Sequence, residues 1–189
     1  MVGETLLRFL EIVSDHINNL KRYIEMSSVE EMINAIENSE SIFVIGAGRS
    51  GYIAKAFAMR LMHLGYTVYV VGEAVTPRIK EEDLLVAISG SGETTSVVNI
   101  SRKAKELIGS KIVAITGKKS STLAKMADIV VLIKGKLKDE RDEILSQLAP
   151  LGTMFELTAM IFLDALVAEL MMRKKLTEKD LEARHAVLE

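Results

Sequence analysis

Two short segments rich in glycine and hydroxyl side chains carry the clearest chemical signal in this chain. Each follows an apolar run typical of a buried strand and precedes a stretch with helical periodicity. Such a turn leaves the first helical N–H groups free to bind an anion, and hydroxyl groups add further donors. Two turns of this kind predict a phosphate monoester held from two sides. The candidate substrate-binding residues are Gly48, Arg49 and Ser50 of segment 46–51, and Ser89, Ser91, Thr94 and Thr95 of segment 89–95.

The predicted strands bring these two turns to one place. Five apolar runs lie over 41–45, 66–71, 84–88, 112–115 and 129–133. Helix-like stretches separate them, most clearly 50–64 and 93–108. This alternation predicts an α/β, three-layer αβα sandwich with a five-stranded parallel sheet in the order 2-1-3-4-5, a flavodoxin-like fold. Strands one and three are then neighbours, so both turns open on the crevice where such folds bind ligands.

Further helices are expected on either side of the sheet segment. They lie over 4–25, 29–38, 152–173 and 177–186. The first two are separated by a break near Ser27-Ser28. Helix 152–173 is apolar on nearly every side, so it should be buried either within a larger core or against another subunit, and for a chain of this size we expect the subunit contact. We expect one domain over 1–189, made of N-terminal helices, a sheet core and C-terminal helices over 1–39, 40–135 and 140–189.

Composition narrows the possible partners and cofactors. A formal net charge of −2 gives no electrostatic basis for binding nucleic acid or an anionic membrane. There is no cysteine, and the three histidines have no metal-ligand spacing, so we expect no metal site. Segment 157–172 is interrupted by Asp164 and is shorter than the ~20 residues that cross a bilayer. With no evident signal peptide, a cytoplasmic protein is expected.

A dinucleotide site is an alternative for the first turn. Gly46, Gly48 and Gly51 fit the spacing of that fingerprint, and Glu73 follows the second strand as its acidic partner would. Arg49, however, places a charge where a pyrophosphate would rest on bare backbone. The second hydroxyl-rich turn also has no role in that interpretation.

Two candidate residues have structural interpretations as well. Ser91 could cap the helix that follows it, because serine at that position accepts a bond from an early helical N–H. Glu156 follows Thr153 by three residues, as in a capping box. A carboxylate near a helix start in an apolar setting could equally act as a proton-transfer base. The sequence leaves both alternatives open.

The histidines also have ordinary structural interpretations. His63 ends the predicted helix 50–64, where an imidazolium is favoured by the helix dipole. His185 lies near the end of the chain and is expected to be an exposed tail residue. His16 is expected on the surface.

The chain resembles the sugar isomerase (SIS) domain family, which binds phosphosugars at paired turns of this type. Within it, the chain is similar to the 6-phospho-3-hexuloisomerases. The resemblance is carried by 46–51, 57–65, 71–73 with 76–77, 89–94, 150–153 with 155–156, and 184–185.

The resemblance implies conversion of 3-hexulose 6-phosphate to fructose 6-phosphate without a cofactor, after formaldehyde has been fixed onto a pentulose phosphate. It implies that Glu156 is the proton-transfer base. It also implies a histidine from a neighbouring subunit, which makes His63 and His185 candidates, in a dimer or tetramer. Two other functions remain open: an isomerase of another phosphosugar such as arabinose 5-phosphate, and a non-catalytic phosphosugar-binding module. A DNA-binding sensor should carry a basic helical domain, and the first forty residues are more acidic than basic.

Overall fold

The computed structural model describes residues 3–135 and 147–187 of the chain. The strands are β1 (Ile42–Gly46), β2 (Val68–Val70), β3 (Leu84–Ile88), β4 (Lys111–Thr116) and β5 (Ile129–Leu132). The helices are α1 (Glu4–Leu20), α2 (Met26–Asn38), α3 (Arg49–His63), α4 (Thr95–Lys103), α5 (Thr122–Met126), α6 (Thr153–Arg173) and α7 (Glu178–Glu182). A π-helical turn, Ala104–Ile108, continues α4. Part of the expected C-terminal segment 140–189 lies outside the described residues.

All five strands are parallel and run in the order β2-β1-β3-β4-β5, which confirms the predicted fold. The central strands are apolar along their whole length because parallel strands are covered on both faces. β1 and β3 are directly paired, from Ile42 opposite Leu84 to Gly46 opposite Ile88. The segments that follow these two strands therefore leave the same edge of the sheet side by side.

Two buried clusters sandwich the sheet, one on each face. Alternate residues of a strand point to opposite faces, so Val44 and Phe43 belong to different clusters. The cluster of Val44 includes residues of α2, α3 and α6, and the cluster of Phe43 includes residues of α4 and α5. Helices α3 and α6 therefore pack on the same face, and the segments leading into them meet.

The structure corrects several expected element boundaries. Helix α1 ends at Leu20, and Ser27 and Ser28 lie in the first turn of α2 rather than at a break. Serine suits that position because its side chain can bond near a helix start; here Ser28 Oγ lies 3.5 Å from the Glu25 carboxylate. Helix α5 was not predicted, although Ser121 caps it by accepting a bond from the Ala124 N–H.

Helix α6 is not buried on every side within this chain. Phe155, Phe162 and Leu166 belong to the core, whereas Met160 and Ile161 are exposed. The apolar residues of α6 therefore lie on two faces of the helix: one face packs against the core, and the other is exposed to solvent. Within residues 3–135 and 147–187, no helix combines the length and the apolarity needed to cross a membrane.

Candidate functional site

The turn after β1 is tight and leads directly into α3. A Cβ on Gly46 would collide with the backbone carbonyl of Ser50, so this position requires glycine. Gly48 has a φ of 57° and precedes Arg49, the first residue of α3. Ser50 is buried one position further along, while Arg49 is exposed. The turn thus holds a hydroxyl and a guanidinium at the start of a helix, beside its free N–H groups.

The turn after β3 is braced by its own hydroxyls. Ser89 is 2% exposed; its Oγ accepts a bond from the Gly92 N–H at 3.2 Å and lies 3.0 Å from Thr94 Oγ1. Ser91 is exposed, and its Oγ accepts a bond from the Glu93 N–H at 3.2 Å. Helix α4 begins at Thr95, with Thr94 as its N-cap residue. The interpretation of Ser91 as the cap is therefore wrong, because the helix starts too late for that role.

The start of helix α5 packs against this second turn. A Cβ on Gly92, which has a φ of 65°, would collide with the Ser121 hydroxyl. Glu93 Oε1 accepts a bond from the Thr122 N–H at 2.8 Å. Bonds from the Thr122 side chain and then its N–H lower the pKa of the Glu93 carboxyl. The turn is therefore fixed at Gly92 and Glu93, and Ser91 between Gly90 and Gly92 is left facing outward.

The first turn of α6 meets the turn after β1 through charged groups. Arg49 Nε lies 2.8 Å from Glu156 Oε2, and Arg49 Nη1 donates a bond to Thr153 Oγ1 at 3.1 Å. Oε2 is buried and accepts no well-aligned hydrogen bond, so the contact with Arg49 is an ion pair. The predicted capping box of Thr153 and Glu156 is wrong. Gly152 is the N-cap residue, and the Glu156 carboxylate faces Arg49 instead of a helical N–H.

The same helical turn also meets the turn after β3, through an aromatic ring. A Cβ on Gly90 would lie 2.8 Å from Phe155 Cδ1, and one on Gly135 would lie 3.0 Å from Phe155 Cβ. Phe155 thus packs between two glycines, one in the segment after β3 and one in the segment after β5. Because Phe155 precedes Glu156, this packing holds the backbone that carries the carboxylate beside the turn after β3.

A cavity of about 540 Å³ opens at this edge of the sheet. Gly90 and Ser91 line it from β3, and Lys118 and Lys134 line it from the segments after β4 and β5. The start of α6 closes it, and a smaller cavity of about 230 Å³ beside Arg49, Tyr52 and Glu156 adjoins that helix. A third cavity, of about 580 Å³, lies at the opposite edge of the sheet and contains none of the predicted site residues.

The structure places the predicted histidines away from the two turns. His63 and Arg49 lie at opposite ends of the 15-residue helix α3, which separates them by about 21 Å at 1.5 Å per residue. His63 is buried and stacks on the exposed His185, with ring centroids 5.3 Å apart. Arg184 holds the C-terminal segment there by donating to the His63 carbonyl at 3.2 Å. The two imidazoles therefore form a pair that is remote from Glu156 of the same chain.

The third histidine departs from its expected position. His16 is buried rather than on the surface, and its Nε2 lies 3.0 Å from the carbonyl of Lys134. Helix α1 packs on Met154 at the start of α6 through Phe9, Ile12 and Val13, and periodicity within α1 gave no sign of that contact.

Two other features bear on the alternatives. Glu73, the acidic residue of the dinucleotide interpretation, pairs with Lys55 Nζ at 2.6 Å. Within the described residues no group of three or more histidine or acidic side chains is placed to hold a metal ion.

Thr153 and Lys118 are polar residues of the site that the sequence analysis did not select. The motif Pro150 to Glu156 could have pointed to Thr153, whereas nothing near Lys118 distinguishes it from other exposed lysines.

Comparison with known proteins identifies the family. The SIS domain model matches residues 35–164. An uncharacterized protein of Archaeoglobus fulgidus is 78% identical over 97% of this chain and 100% of its own length. The 3-hexulose-6-phosphate isomerase of Bacillus subtilis is 38% identical over 94% of this chain and 95% of that protein. A crystal structure of a protein from Methanococcus jannaschii is 41% identical to this chain and superimposes with a TM-score of 0.84. The match covers 95% of this chain and 98% of the other chain. The function of 3-hexulose-6-phosphate isomerase was inferred from that structure. The chain belongs to the SIS domain family and is an isomerase of it.

Proposed function

We propose that this chain converts 3-hexulose 6-phosphate to fructose 6-phosphate, with Glu156 as the base that moves the proton. The observation that supports it most is the contact of Glu156 with Arg49, which brings a carboxylate to the predicted phosphate-binding turns. Relatives with 36–41% identity over nearly their whole length carry the name 3-hexulose-6-phosphate isomerase. A reaction that adds formaldehyde to a pentulose phosphate would supply the substrate.

The phosphate group anchors the substrate in this proposal. The Ser91 hydroxyl, the Ser50 hydroxyl and the first N–H groups of α3 and α4 are the donors at the paired strand ends. Lys118 adds a positive charge on the side of β4. Since Arg49 already faces a carboxylate, a second cation near Ser91 helps to balance a phosphate dianion. Anchoring at this end holds the reacting carbons against Glu156.

The reaction needs one proton to leave C2 and one to reach C3. Glu156 takes the C2 proton, the electrons of the C–H bond form the C2–C3 double bond, and the C3 carbonyl oxygen gains a proton to give an enediol. Return of a proton to C3 and loss of the O2 proton place the ketone at C2. One carboxylate can serve both carbons because they are adjacent, and such acid–base help typically contributes ~10²–10⁴-fold.

Arg49 is suited to the negative charge that builds on the enediol oxygens. A guanidinium has five N–H donors, and the contacts with Thr153 and Glu156 use only the Nη1 and Nε sides. The Arg49 side chain is 57% exposed and lines the smaller cavity beside Glu156, so its remaining donors are open to solvent. Donors that are fixed before the reaction stabilise such charge more than mobile water does.

The proposal includes a second copy of the chain. Tyr52, Met59, Met160 and Ile161 are exposed on α3 and α6, which lie on one face of the molecule. Covering apolar side chains of this kind is favourable at roughly 25 cal/mol per Å². Because His63 and His185 are remote from their own Glu156, one of the two would act in the site of a neighbouring subunit, and His185 is the exposed one.

Mixing two inactive variants tests this shared site. Glu156→Gln and His185→Ala are expected to be inactive alone and to regain activity when mixed oligomers form. One site of each mixed pair then receives an intact Glu156 from one chain and an intact His185 from the other. No regain in mixed oligomers would mean that the two residues do not serve one shared site.

A coupled assay tests the reaction itself by following fructose 6-phosphate made from freshly generated 3-hexulose 6-phosphate. Ser91→Ala with Thr94→Ala should raise KM, because two hydroxyls near the phosphate are lost. An unchanged KM would mean that the phosphate binds elsewhere. Turnover of arabinose 5-phosphate alone would indicate a different isomerase, and binding of phosphosugars without any turnover would indicate a non-catalytic module.

A further inference from the structure

The hydroxyl of Thr153 has a defined direction. Thr153 Oγ1 lies 2.7 Å from the Pro150 carbonyl oxygen, which can only accept, so the hydroxyl proton points there. Its lone pairs are then left for Arg49, whose Nη1 donates to Oγ1 at 3.1 Å. The Pro150 carbonyl therefore makes Thr153 an acceptor for the guanidinium.

The ion pair between Arg49 and Glu156 does not fix its own geometry. Nε and Oε2 are 2.8 Å apart, yet Oε2 accepts no well-aligned hydrogen bond. Charge attraction alone is weakly directional, whereas a hydrogen bond with a defined acceptor is directional. Thr153 and Glu156 lie three positions apart on the first turn of α6, on the same side of the helix. Arg49 thus reaches both at once, and among its contacts with described residues the hydrogen bond to Thr153 is the directional one.

The two oxygens of Glu156 are consequently unlike. Oε2 is buried against Arg49. Oε1 lies 3.5 Å from the point that a Cβ on Gly152 would occupy, and Glu156 lines the smaller cavity together with Arg49 and Tyr52. The missing side chain at Gly152 leaves space beside Oε1. The atom that can reach a substrate proton is therefore Oε1.

We infer that Thr153 is a positioning residue, which holds Arg49 so that Glu156 keeps Oε2 against the guanidinium and Oε1 toward the cavity. This inference rests on the proposed role of Glu156 as the base. Loss of the Thr153 hydroxyl leaves the charges in place but allows the guanidinium to rotate. The carboxylate then loses its orientation, and misplacement of a reacting group by about 1 Å can lower the rate roughly 100-fold.

The test compares three variants of the full-length protein. Thr153→Val keeps the shape and removes the hydroxyl, and it should lower kcat about 10- to 100-fold with KM within about twofold. Thr153→Ser keeps the hydroxyl and should restore most of kcat. Thr158→Val is the matched control, because Thr158 lies on the same helix and its buried hydroxyl donates to the Met154 carbonyl at 2.6 Å rather than contacting Arg49. A kcat for Thr153→Val within twofold of the unmodified protein, or an equal loss in Thr158→Val, would overturn the inference.

A readout without turnover separates this inference from the proposed function. The ¹⁵N relaxation of Arg49 Nε–H should report a restrained group in the unmodified protein and in Thr153→Ser, and a mobile one in Thr153→Val. If the protein has no isomerase activity but the relaxation changes as stated, the positioning of Arg49 stands and the proposed reaction fails. If Arg49 is equally mobile in all three proteins, Thr153 does not position it.

Discussion

Replacing Gly90 by alanine would place a methyl group against Phe155, at the point where the turn after β3 meets α6. The new Cβ would lie 2.8 Å from Cδ1 and 2.9 Å from Cγ of the ring, whereas carbon atoms pack best at about 3.5–4.0 Å. Phe155 has little room to move away, because Gly135 lies close on another side, where even an added Cβ would come within 3.0 Å of Phe155 Cβ. The strain must therefore be absorbed by the ring and by the start of α6.

Overpacking of this kind typically costs about 1–3 kcal/mol. For a chain of 150–250 residues each kcal/mol lowers Tm by about 2–4 °C, so Gly90→Ala should unfold roughly 2–12 °C earlier. Thermal unfolding followed by circular dichroism measures this shift. Turnover should fall as well, because Phe155 adjoins Glu156.

A double-mutant cycle with Phe155→Ala shows whether the contact itself is responsible. Alanine lacks the Cγ and Cδ1 atoms that the new methyl group would meet, so Gly90→Ala should cost less in the Phe155→Ala background than in the unmodified chain. If the two losses in unfolding free energy simply add, the close approach of Gly90 and Phe155 is not what fixes α6, and the reasoning is refuted.

Two further substitutions test residues near the turn after β3: Lys118, which lines the cavity together with Ser91, and Glu93, which lies within the turn. Lys118→Met should raise KM for the phosphosugar by about fivefold, which is the upper range for an exposed charge pair. Lys119→Met is the control and should leave KM unchanged, because Lys119 Nζ lies 3.5 Å from the Glu25 carboxylate instead of lining the cavity. Equal effects on KM would mean that net charge alone matters. Glu93→Gln should destabilise the protein at pH 7, because the Thr122 side chain and N–H hold the pKa of this carboxyl below its ordinary 4.5. The stabilisation is present above that pH and is lost as pH falls through the lower folded value, so urea midpoints of the two proteins should converge in acid; a constant difference would contradict the assigned bond.

The sheet could be predicted because its strands leave few alternatives. Runs such as 84–88 and 112–115 are short, apolar and separated by helical periodicity, which favours parallel strands covered on both faces. The strand order follows from right-handed crossovers. Strand β2 was expected over 66–71 but spans only Val68–Val70, because Tyr66 N–H bonds back to the Leu61 carbonyl and completes the end of α3. Local patterns do not reveal such a helix-ending bond.

The site was predicted only in outline, since its details depend on contacts between distant segments. The hydroxyl-rich turns could be found from their residue types. The partner of Glu156 could not, because Thr153 favours a local capping box whereas Arg49 lies more than a hundred positions away in the chain. Tertiary charge pairing prevailed over the local pattern. His16 was misplaced for the same reason, as its burial depends on α1 packing over distant residues.

The turnover of Glu156→Gln tests the central claim most directly. Glutamine keeps the size of the side chain and the packing of Phe155 beside it, but it cannot accept the C2 proton. With 3-hexulose 6-phosphate as substrate, kcat should fall by ~10²–10⁴-fold, while calorimetry should find fructose 6-phosphate bound about as tightly as by the unmodified protein. A Glu156→Gln variant that retains most of its kcat would contradict the proposal that this carboxylate transfers the proton.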